Sequence, residues 1–341
     1  MVEQAPDLRI GVALSGGGAA GKAHVGVLEE LAEGGIPIHC VAGTSAGAMV
    51  GAAYAADRLG AFRETMCALT RRRVLSLFDP TWPRSGLLEG RRSLELIRPH
   101  VGERIESLPR PFAAVATDLR SGAEVVLREG DVLEAIRASI AIPGLFTPQR
   151  WRGRLLVDGG LTNPLPVDVA RQLGAQFVIA VTVLALPEDP VPRKGEPQRL
   201  TAQLLARFLD SDEAPRPEEA EDSSGEPESD LADDIGLIEV LSKATGVVQA
   251  RIAAARLREQ PPDCIVAAPS QEIGLFDFHR AADAFDAGRT AAREALPEIR
   301  SALLAAEPLY QKLARWMDTA TGRITGSPDP DSGRAEPDGD R

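Results

Sequence analysis

The sequence predicts an α/β fold, a three-layer α/β/α sandwich in which helices cover both faces of a mainly parallel sheet. Short apolar runs alternate with segments of helical periodicity along most of the chain. Two of these runs end in glycine-framed turns that lead directly into a helical pattern. A strand, a turn and a helix in succession are typical of parallel sheets, because parallel strands need a crossover connection.

The first of these units starts with an apolar run over residues 10–14 and ends with a helical pattern over residues 23–31. A turn rich in glycine, residues 16–21, joins the two. Backbone N–H groups at a helix start attract a negative oxygen, whether it belongs to a phosphate or to a reaction intermediate. The unit therefore predicts an anion-binding turn.

Two nucleotide-binding motifs resemble this turn. Its glycine spacing matches the dinucleotide fingerprint, but the next strand ends at Gly43 without an acid to hold a ribose. Gly16, Gly21 and Lys22 also satisfy most of a phosphate-binding P-loop, although Ala23 stands where a hydroxyl should ligate magnesium. A P-loop-like nucleotide-binding NTPase is therefore an alternative function.

The second unit places a serine at its corner. Residues 36–42 predict a strand, residues 46–56 predict a helix, and the turn between them has the sequence Gly-Thr-Ser-Ala-Gly over residues 43–47. A serine at such a tight corner is exposed at the sheet edge, and small neighbours let the backbone bend. Ser45 is the candidate nucleophile, and it needs a base because a free hydroxyl is a poor nucleophile.

Two candidate bases remain open on the residues alone. His279 lies beside Asp277 and suits a Ser-Asp-His triad, although only two strands precede Ser45 where α/β-hydrolases have several. Asp158 closes an apolar run and is followed by two glycines. Burial in a desolvated pocket would raise the pKa of Asp158 towards neutrality and make it a better proton acceptor.

The remaining elements continue the alternation of strands and helices. The predicted strands cover residues 111–117, 124–127, 154–157, 177–183 and 264–268. The predicted helices cover residues 132–138, 167–173, 235–257 and 280–305.

A proline-broken apolar stretch over residues 74–90 has two interpretations. It predicts either a lid or acyl pocket beside the site, or a buried connection. The arginines at residues 71–73 are candidates for contact with lipid headgroups, or form a solvated helix end.

Composition limits the domain organisation and the partners. One domain over about residues 7–315 accounts for the pattern in this chain of 341 residues. Twelve acids against one arginine over residues 210–234 predict a disordered acidic insert, and residues 322–341 predict a disordered tail. The net charge of −12 comes mainly from the insert, and no basic patch for nucleic acid is present.

The sequence shows no targeting or membrane-spanning segment. Its first 20 residues lack a basic region before an apolar core, and no apolar helical stretch approaches the roughly 20 residues that a bilayer requires. The three cysteines are widely separated, which favours a reducing compartment over a disulfide framework. We expect a cytoplasmic protein with at most peripheral membrane contact.

Three sequence blocks together resemble a known family. Residues 16–28 (GGGAAGKAHVGVL), 43–47 (GTSAG) and 158–160 (DGG) look like the signature blocks of patatin-like phospholipases, in that order. Residues 115–119 (VATDL) and 137–144 (RASIAIPG) are similar to intervening family segments. The resemblance covers about residues 8–300.

The resemblance implies a serine acyl hydrolase that cleaves carboxylic esters of lipids, of phospholipase A, lysophospholipase or esterase type. It implies a dyad in which Ser45 attacks the ester and Asp158 activates the serine. It implies no metal or cofactor, and a lipid or small ester as the binding partner. The implied oxyanion hole is the glycine turn with Gly16, Gly17, Gly18 and Gly21, in which the amides around Gly17 and Gly18 are the chief donors.

One position departs from the family pattern. Ala20 stands where the family usually carries arginine or lysine, and Lys22 follows two residues later. The Lys22 charge either reaches the same space or points to solvent. Ala20 therefore also opens the alternative of a catalytically weak, lipid-binding member of the family.

Overall fold

The computed structural model describes residues 8–79, 86–186, 237–268 and 273–306, with side chains from residue 243 onward in the third range. The acidic segment over residues 210–234 and the tail over residues 322–341 lie outside the described residues. So do the first and last residues of the predicted domain. These three assignments remain predictions.

The described residues form ten strands and nine α-helices. The strands are β1 (Ile10–Leu14), β2 (Cys40–Thr44), β3 (Gly86–Leu88), β4 (Phe112–Asp118), β5 (Glu124–Leu127), β6 (Gly144–Phe146), β7 (Gln149–Trp151), β8 (Arg154–Asp158), β9 (Phe177–Thr182) and β10 (Cys264–Ala267). The helices are α1 (Ala23–Glu33), α2 (Ala46–Ala55), α3 (Leu59–Cys67), α4 (Arg71–Leu77), α5 (Arg91–Val101), α6 (Val132–Ser139), α7 (Val167–Gln172), α8 (Leu237–Glu259) and α9 (Ala281–Ala306).

Eight strands form one sheet in the order β10-β9-β1-β2-β4-β8-β7, with β5 also paired to β4. The neighbours from β10 to β4 are parallel. The pairs β4–β5, β4–β8 and β7–β8 are antiparallel. Strands β3 and β6 form a separate parallel pair. The mainly parallel central sheet predicted from the sequence is confirmed.

The alternation of side chains along β1 shows why helices cover both faces of this sheet. Ile10, Val12 and Leu14 belong to a large apolar cluster shared with α1, α2 and α9. Ala13 points the other way, into a smaller cluster that includes residues of α7 and α8. This second face is rich in alanine, which lets α7 and α8 approach the strands closely. The sheet is therefore the middle layer of three.

Sequence and structure differ at one strand and at several short elements. We predicted a strand over residues 36–42, but β2 begins at Cys40. Residue 37 is proline, which cannot donate to a ladder, and the Ile36 N–H instead bonds the Leu31 carbonyl at the end of α1. Short elements that the periodicity did not reveal are β3, β6, β7, α3, α4 and α5.

The described ranges contain no helix with the length and apolar character needed to cross a membrane.

The strand register brings the ends of three strands together. Leu14, the last residue of β1, lies opposite Gly43 of β2, and Thr44, the last residue of β2, lies opposite Val115 of β4. The next residue of β4, Ala116, is paired with Asp158 at the end of β8. This register places the turns after β1, β2 and β8 beside one another, at the edge where ligands bind in open α/β sheets.

Candidate active site

Ser45 occupies a strained corner between β2 and α2. Its φ of 54° and ψ of −118° lie in a region that residues other than glycine rarely adopt. A Cβ on Gly43 would overlap the Gly47 carbonyl, and a Cβ on Gly47 would lie 2.6 Å from the Ser15 carbonyl oxygen. Glycine is therefore required on both sides of the serine, which explains the Gly-Thr-Ser-Ala-Gly spacing in physical terms.

Ser139, at the end of α6, holds this corner in place. The Ser45 N–H donates to Ser139 Oγ at 2.8 Å, and the Ser139 hydroxyl donates to the Val115 carbonyl at 2.6 Å. Ser139 is fully buried, so it links the strained turn to β4 away from solvent. From the sequence, Ser139 is recognisable only as part of a segment similar to the family, and no role is predicted for it.

Asp158 lies directly beside the serine. The Ser45 hydroxyl donates to Asp158 Oδ2 at 2.8 Å, and Gly160 N–H donates to the other carboxylate oxygen at 2.7 Å. Burial raises the pKa of Asp158 to about 6, although the hydrogen bonds from Gly160 and Ser45 oppose the rise. A buried carboxylate with this pKa, hydrogen-bonded to a serine, is chemically able to take the serine proton.

The two glycines after Asp158 leave room for close neighbours. A Cβ on Gly159 would lie 2.6 Å from the Val115 carbonyl carbon, and a Cβ on Gly160 would lie 2.6 Å from Gln249 Cδ. Gln249 is a buried residue of α8, and its Oε1 would lie 3.5 Å from a Cβ on Gly16. Its amide thus sits between the glycine turn and the Asp158 turn.

A charged network ties the segment after Asp158 to α8. Arg256 of α8 makes ion pairs of 2.9 Å with both Glu124 and Asp168. The Asn163 side-chain amide donates to the same two carboxylates, at 3.1 Å and 2.8 Å. The Asn163 carbonyl accepts the Thr44 hydroxyl at 2.7 Å, next to Ser45.

Gln249 and this network were not predictable from the sequence. Each partner is an ordinary polar residue in its own segment, and no local pattern sets it apart. Their proximity arises only from the way α8 docks on the sheet.

The glycine turn presents two free N–H groups. Gly17 and Gly18 have φ values of 147° and 56°, which favour glycine. Among the described residues, neither N–H donates to any acceptor. The turn is adjacent to the serine, since a Cβ on Gly16 would lie 3.6 Å from Ser45 Cβ. The arrangement can hold a negative oxygen next to the hydroxyl.

Gly16 and Gly21 do not fit the prediction that all four glycines form the oxyanion hole. The Gly16 N–H already donates to the Pro164 carbonyl at 3.1 Å. Gly21 lies inside a 3-10 helix over Gly18–Lys22, and a Cβ there would overlap the side chain of Ala46. These two glycines therefore shape the turn and allow close packing, while Gly17 and Gly18 keep their donors.

The structure describes all four histidines, and none of their ring nitrogens bonds Ser45 or Asp158. His24 is fully buried with Nε2 2.8 Å from the Ser15 carbonyl, and burial lowers its pKa to about 4. His39 accepts the Ile10 N–H, and His100 bonds Thr65. His279 Nδ1 lies 4.0 Å from an Asp277 oxygen, the histidine–acid pair of the triad alternative.

Lys22 does not point to solvent. Its side chain is 1% exposed, its Nζ is 3.4 Å from Met49 Sδ, and it lies over the rings of Phe62 and Phe278. Burial lowers the pKa of Lys22 to about 8. A P-loop lysine has to reach the phosphates at the mouth of its turn, so this position removes the main support for the NTPase alternative.

An apolar cavity extends from Ser45. It contains about 800 Å³ of space not filled by atoms, part of which is open to solvent. Val74, Leu77 and Phe78 line it, so this part of the 74–90 stretch is a pocket wall. Residues 80–85 lie outside the described ranges. The other lining residues are Gly18, Lys22, Ala46, Met49, Met66, Leu69, Ser93, Leu96, Ile97, Ile140, Ile142, Leu145, Phe146, Leu275, Phe276 and Phe278.

Comparison with known proteins identifies the family. The patatin-like phospholipase family profile matches residues 12–171. An uncharacterized NTE family protein of Mycobacterium tuberculosis is 35% identical over 336 residues, covering 84% of this chain and 91% of that protein. The chain therefore belongs to the patatin-like phospholipase family, a family of lipid hydrolases.

A second sequence relative belongs to the same family. Patatin-like phospholipase domain-containing protein 6 of the mouse is 35% identical over 196 residues, covering 55% of this chain and 14% of that protein. Among solved structures, VipD from Legionella pneumophila matches 60% of this chain and 53% of that chain, with 15% identity and a TM-score of 0.32. The structural similarity is too weak to inform function.

Proposed function

We propose that the protein is a serine acyl hydrolase that cleaves carboxylic ester bonds of lipids through a dyad of Ser45 and Asp158. The observation that carries this proposal is the 2.8 Å hydrogen bond from the Ser45 hydroxyl to the buried Asp158 carboxylate. It gives the nucleophile a base without a histidine. Family membership supports ester hydrolysis in general, and the hydrogen bond supports these two residues.

The first half-reaction forms an acyl-enzyme. Ser45 Oγ attacks the ester carbonyl carbon while Asp158 takes the hydroxyl proton. The N–H groups of Gly17 and Gly18 stabilise the oxyanion of the tetrahedral intermediate. As the intermediate collapses, the carbon–oxygen bond to the alcohol breaks, and the alcohol leaves with the proton held by Asp158.

The second half-reaction releases the acid. A water molecule gives its proton to Asp158 and attacks the acyl carbon, and the same N–H groups stabilise the new oxyanion. Collapse of this intermediate breaks the bond to Ser45 Oγ, which regains its proton from Asp158. The products are a carboxylic acid and the original dyad.

The cavity beside Ser45 supports a fatty acyl chain as the group that is transferred. Its wall is made mostly of Leu, Ile, Val, Met and Phe side chains, which suit an apolar chain. The proposed substrates are therefore lipid esters, and the proposed activity is of phospholipase A, lysophospholipase or esterase type.

Covalent labelling tests the assignment of the nucleophile. A fluorophosphonate probe should modify Ser45, and Ser45→Ala should abolish both labelling and hydrolysis of p-nitrophenyl octanoate, by roughly four orders of magnitude or more. Ser301→Ala, an exposed serine on α9, is the matched control and should match the wild type. A folded wild type that is neither labelled nor active would instead indicate the lipid-binding alternative raised by Ala20.

A further inference from the structure

The ammonium group of Lys22 is the one charged group among the described residues that line the acyl cavity. Its Nζ is 3.4 Å from Met49 Sδ and lies 5.2 Å and 5.4 Å from the ring centroids of Phe62 and Phe278. None of the ion pairs found between described residues includes Lys22. The cation is thus held by aromatic rings and a thioether, without a carboxylate.

This environment is unusual for a lysine. Lysines are almost never fully buried unless they are paired, because removing the charge from water is costly. The contacts around Nζ are weak: a sulfur is a poor acceptor, and each ring contributes a cation–π attraction. The hydrogen-bonding capacity of three N–H donors is therefore largely unused in a cavity that is open to ligand.

The location of Lys22 relative to Ser45 indicates which part of a bound acyl chain would meet the ammonium. Met49 follows Ser45 by four residues on α2, which corresponds to about one helical turn, roughly 5.4 Å along the axis. An acyl chain bonded to Ser45 that ran along α2 would pass Met49, and therefore Lys22, several carbons beyond its carbonyl. On that course a group on the chain itself, not the ester oxygen, would meet the ammonium.

We propose that Lys22 selects acyl chains that carry a carboxylate, so that the preferred esters are half-esters of dicarboxylic acids rather than plain fatty acyl esters. This inference rests on the proposed acyl hydrolase function. The fold already bears the cost of desolvating the ammonium, so only the carboxylate must still be desolvated on binding. A charge-assisted hydrogen bond in this apolar cavity then offsets that cost.

Turnover provides the first test. The ratio of kcat/KM for p-nitrophenyl hydrogen suberate to that for p-nitrophenyl octanoate isolates the terminal carboxylate, because the two acyl chains have equal length. Lys22→Met keeps a similar shape without the charge, and it should lower this ratio roughly tenfold or more. Lys243→Met, an exposed lysine on α8, should retain the wild-type ratio.

Binding provides a second test that does not need turnover. In a Ser45→Ala background, calorimetric titration should show monomethyl suberate binding more tightly than methyl octanoate. Adding Lys22→Met should remove that difference. Thermal unfolding confirms that each variant is folded before its result is used.

The outcomes separate this inference from the proposed function. A folded wild type that hydrolyses both esters with no preference, or a preference that survives Lys22→Met, would overturn the role of Lys22 and leave the dyad intact. Failure of the wild type to hydrolyse either ester would reject the acyl hydrolase. In that case equal binding of the two methyl esters would reject the role of Lys22 as well.

Discussion

Ser139 and Ser45 are joined through a single hydrogen bond, in which the backbone N–H of Ser45 donates to the Ser139 hydroxyl at 2.8 Å. The Ser139 hydroxyl in turn donates a hydrogen bond to the Val115 carbonyl of β4, so one buried side chain connects α6, the strained corner and the sheet. The backbone of Ser45 is therefore fixed from outside its own turn. A strained conformation persists only where surrounding contacts enforce it.

Replacing Ser139 by Ala should destabilise the protein and slow turnover. The change leaves the Ser45 N–H and the Val115 carbonyl without their partner, which costs about 1–3 kcal/mol per buried group. Urea unfolding measures the stability loss, and kcat for an ester measures the loosening of the corner. Ser301→Ala controls for loss of a serine hydroxyl on an exposed helix face. A Ser139→Ala enzyme with wild-type kcat would show that the corner needs no such support.

The activity should depend on the ionisation of Asp158. Burial raises the pKa of this carboxyl to about 6, and only the ionised form accepts the Ser45 proton. We therefore expect kcat/KM to rise with pH through about 6 and then to level off. A rise centred near pH 4, where an unperturbed aspartate titrates, would contradict a buried base.

The same group should make stability depend on pH in the opposite direction. The folded pKa of Asp158 lies above the roughly 3.9 of an unperturbed aspartate, so the folded state binds the proton more tightly than the unfolded state. Its contribution to stability is present below about pH 4 and is lost as pH rises through about 6. Relative to Asp158→Asn, the wild type should lose roughly 2–3 kcal/mol between pH 4 and pH 8. A constant difference in urea unfolding across this range would refute the linkage.

Gln249 and Gly160 should be coupled. A Cβ on Gly160 would lie 2.6 Å from Gln249 Cδ and 3.0 Å from Asp158 Oδ1, so Gly160→Ala should disturb the carboxylate and lower turnover. The double variant Gly160→Ala/Gln249→Ala lacks the Gln249 side-chain amide, so it should recover part of the turnover that Gly160→Ala loses. Gly159→Ala is the matched control, because its Cβ would meet the backbone of Val115 instead. The turnover lost in Gly159→Ala should stay lost in the Gln249→Ala background. Equal rescue of Gly159→Ala and Gly160→Ala would rule out direct contact between residue 160 and Gln249.

Replacing His279 should have little effect. The His279 ring makes no hydrogen bond to Ser45 or Asp158, and its Nδ1 lies 4.0 Å from an oxygen of Asp277. We expect kcat/KM of His279→Ala to stay within about twofold of the wild type, as for most changes that leave the reacting groups untouched. A collapse of activity with an intact fold would establish the Ser-Asp-His triad in place of the dyad.

Helix α4 is where we propose that the protein contacts a membrane surface. Leu75 is 65% exposed, although Val74 and Leu77 on the same helix line the cavity. The three arginines at residues 71–73 are also exposed and suit anionic headgroups. Leu75→Ser should weaken co-sedimentation with phosphatidylglycerol vesicles, while leaving hydrolysis of a water-soluble ester unchanged. Equal sedimentation of both proteins would remove α4 from the membrane contact.

Most strands of the central sheet, and the position of the candidate nucleophile along the chain, were predictable from the sequence because local patterns carry them. The apolar run at Ile10–Leu14 and the serine corner at residue 45 follow from glycine placement and alternation within a few residues. Asp158 was recognisable as a strand end, and the resemblance gave it a role. The distance between Ser45 and Asp158 was not predictable, because it depends on the register of β2, β4 and β8.

Other features of the site depend on tertiary contacts that no segment encodes alone. The sequence placed Lys22 either beside the glycine turn or in solvent, and the structure buries it against Phe62 and Phe278, which are more than 200 residues apart. The loss of the Gly16 donor likewise requires Pro164, from the turn after β8. Long-range partners of this kind can be seen only once the helices have docked.

Strand β1 precedes both β2 and β9 in the chain but lies between them in the sheet. During synthesis its β2 partner emerges early, whereas the edge that β9 covers stays unsatisfied until residues 177–182 leave the ribosome. Such an apolar, unpaired edge favours association with other chains. Nascent chains that stall before β9 should therefore be prone to aggregate and to bind chaperones.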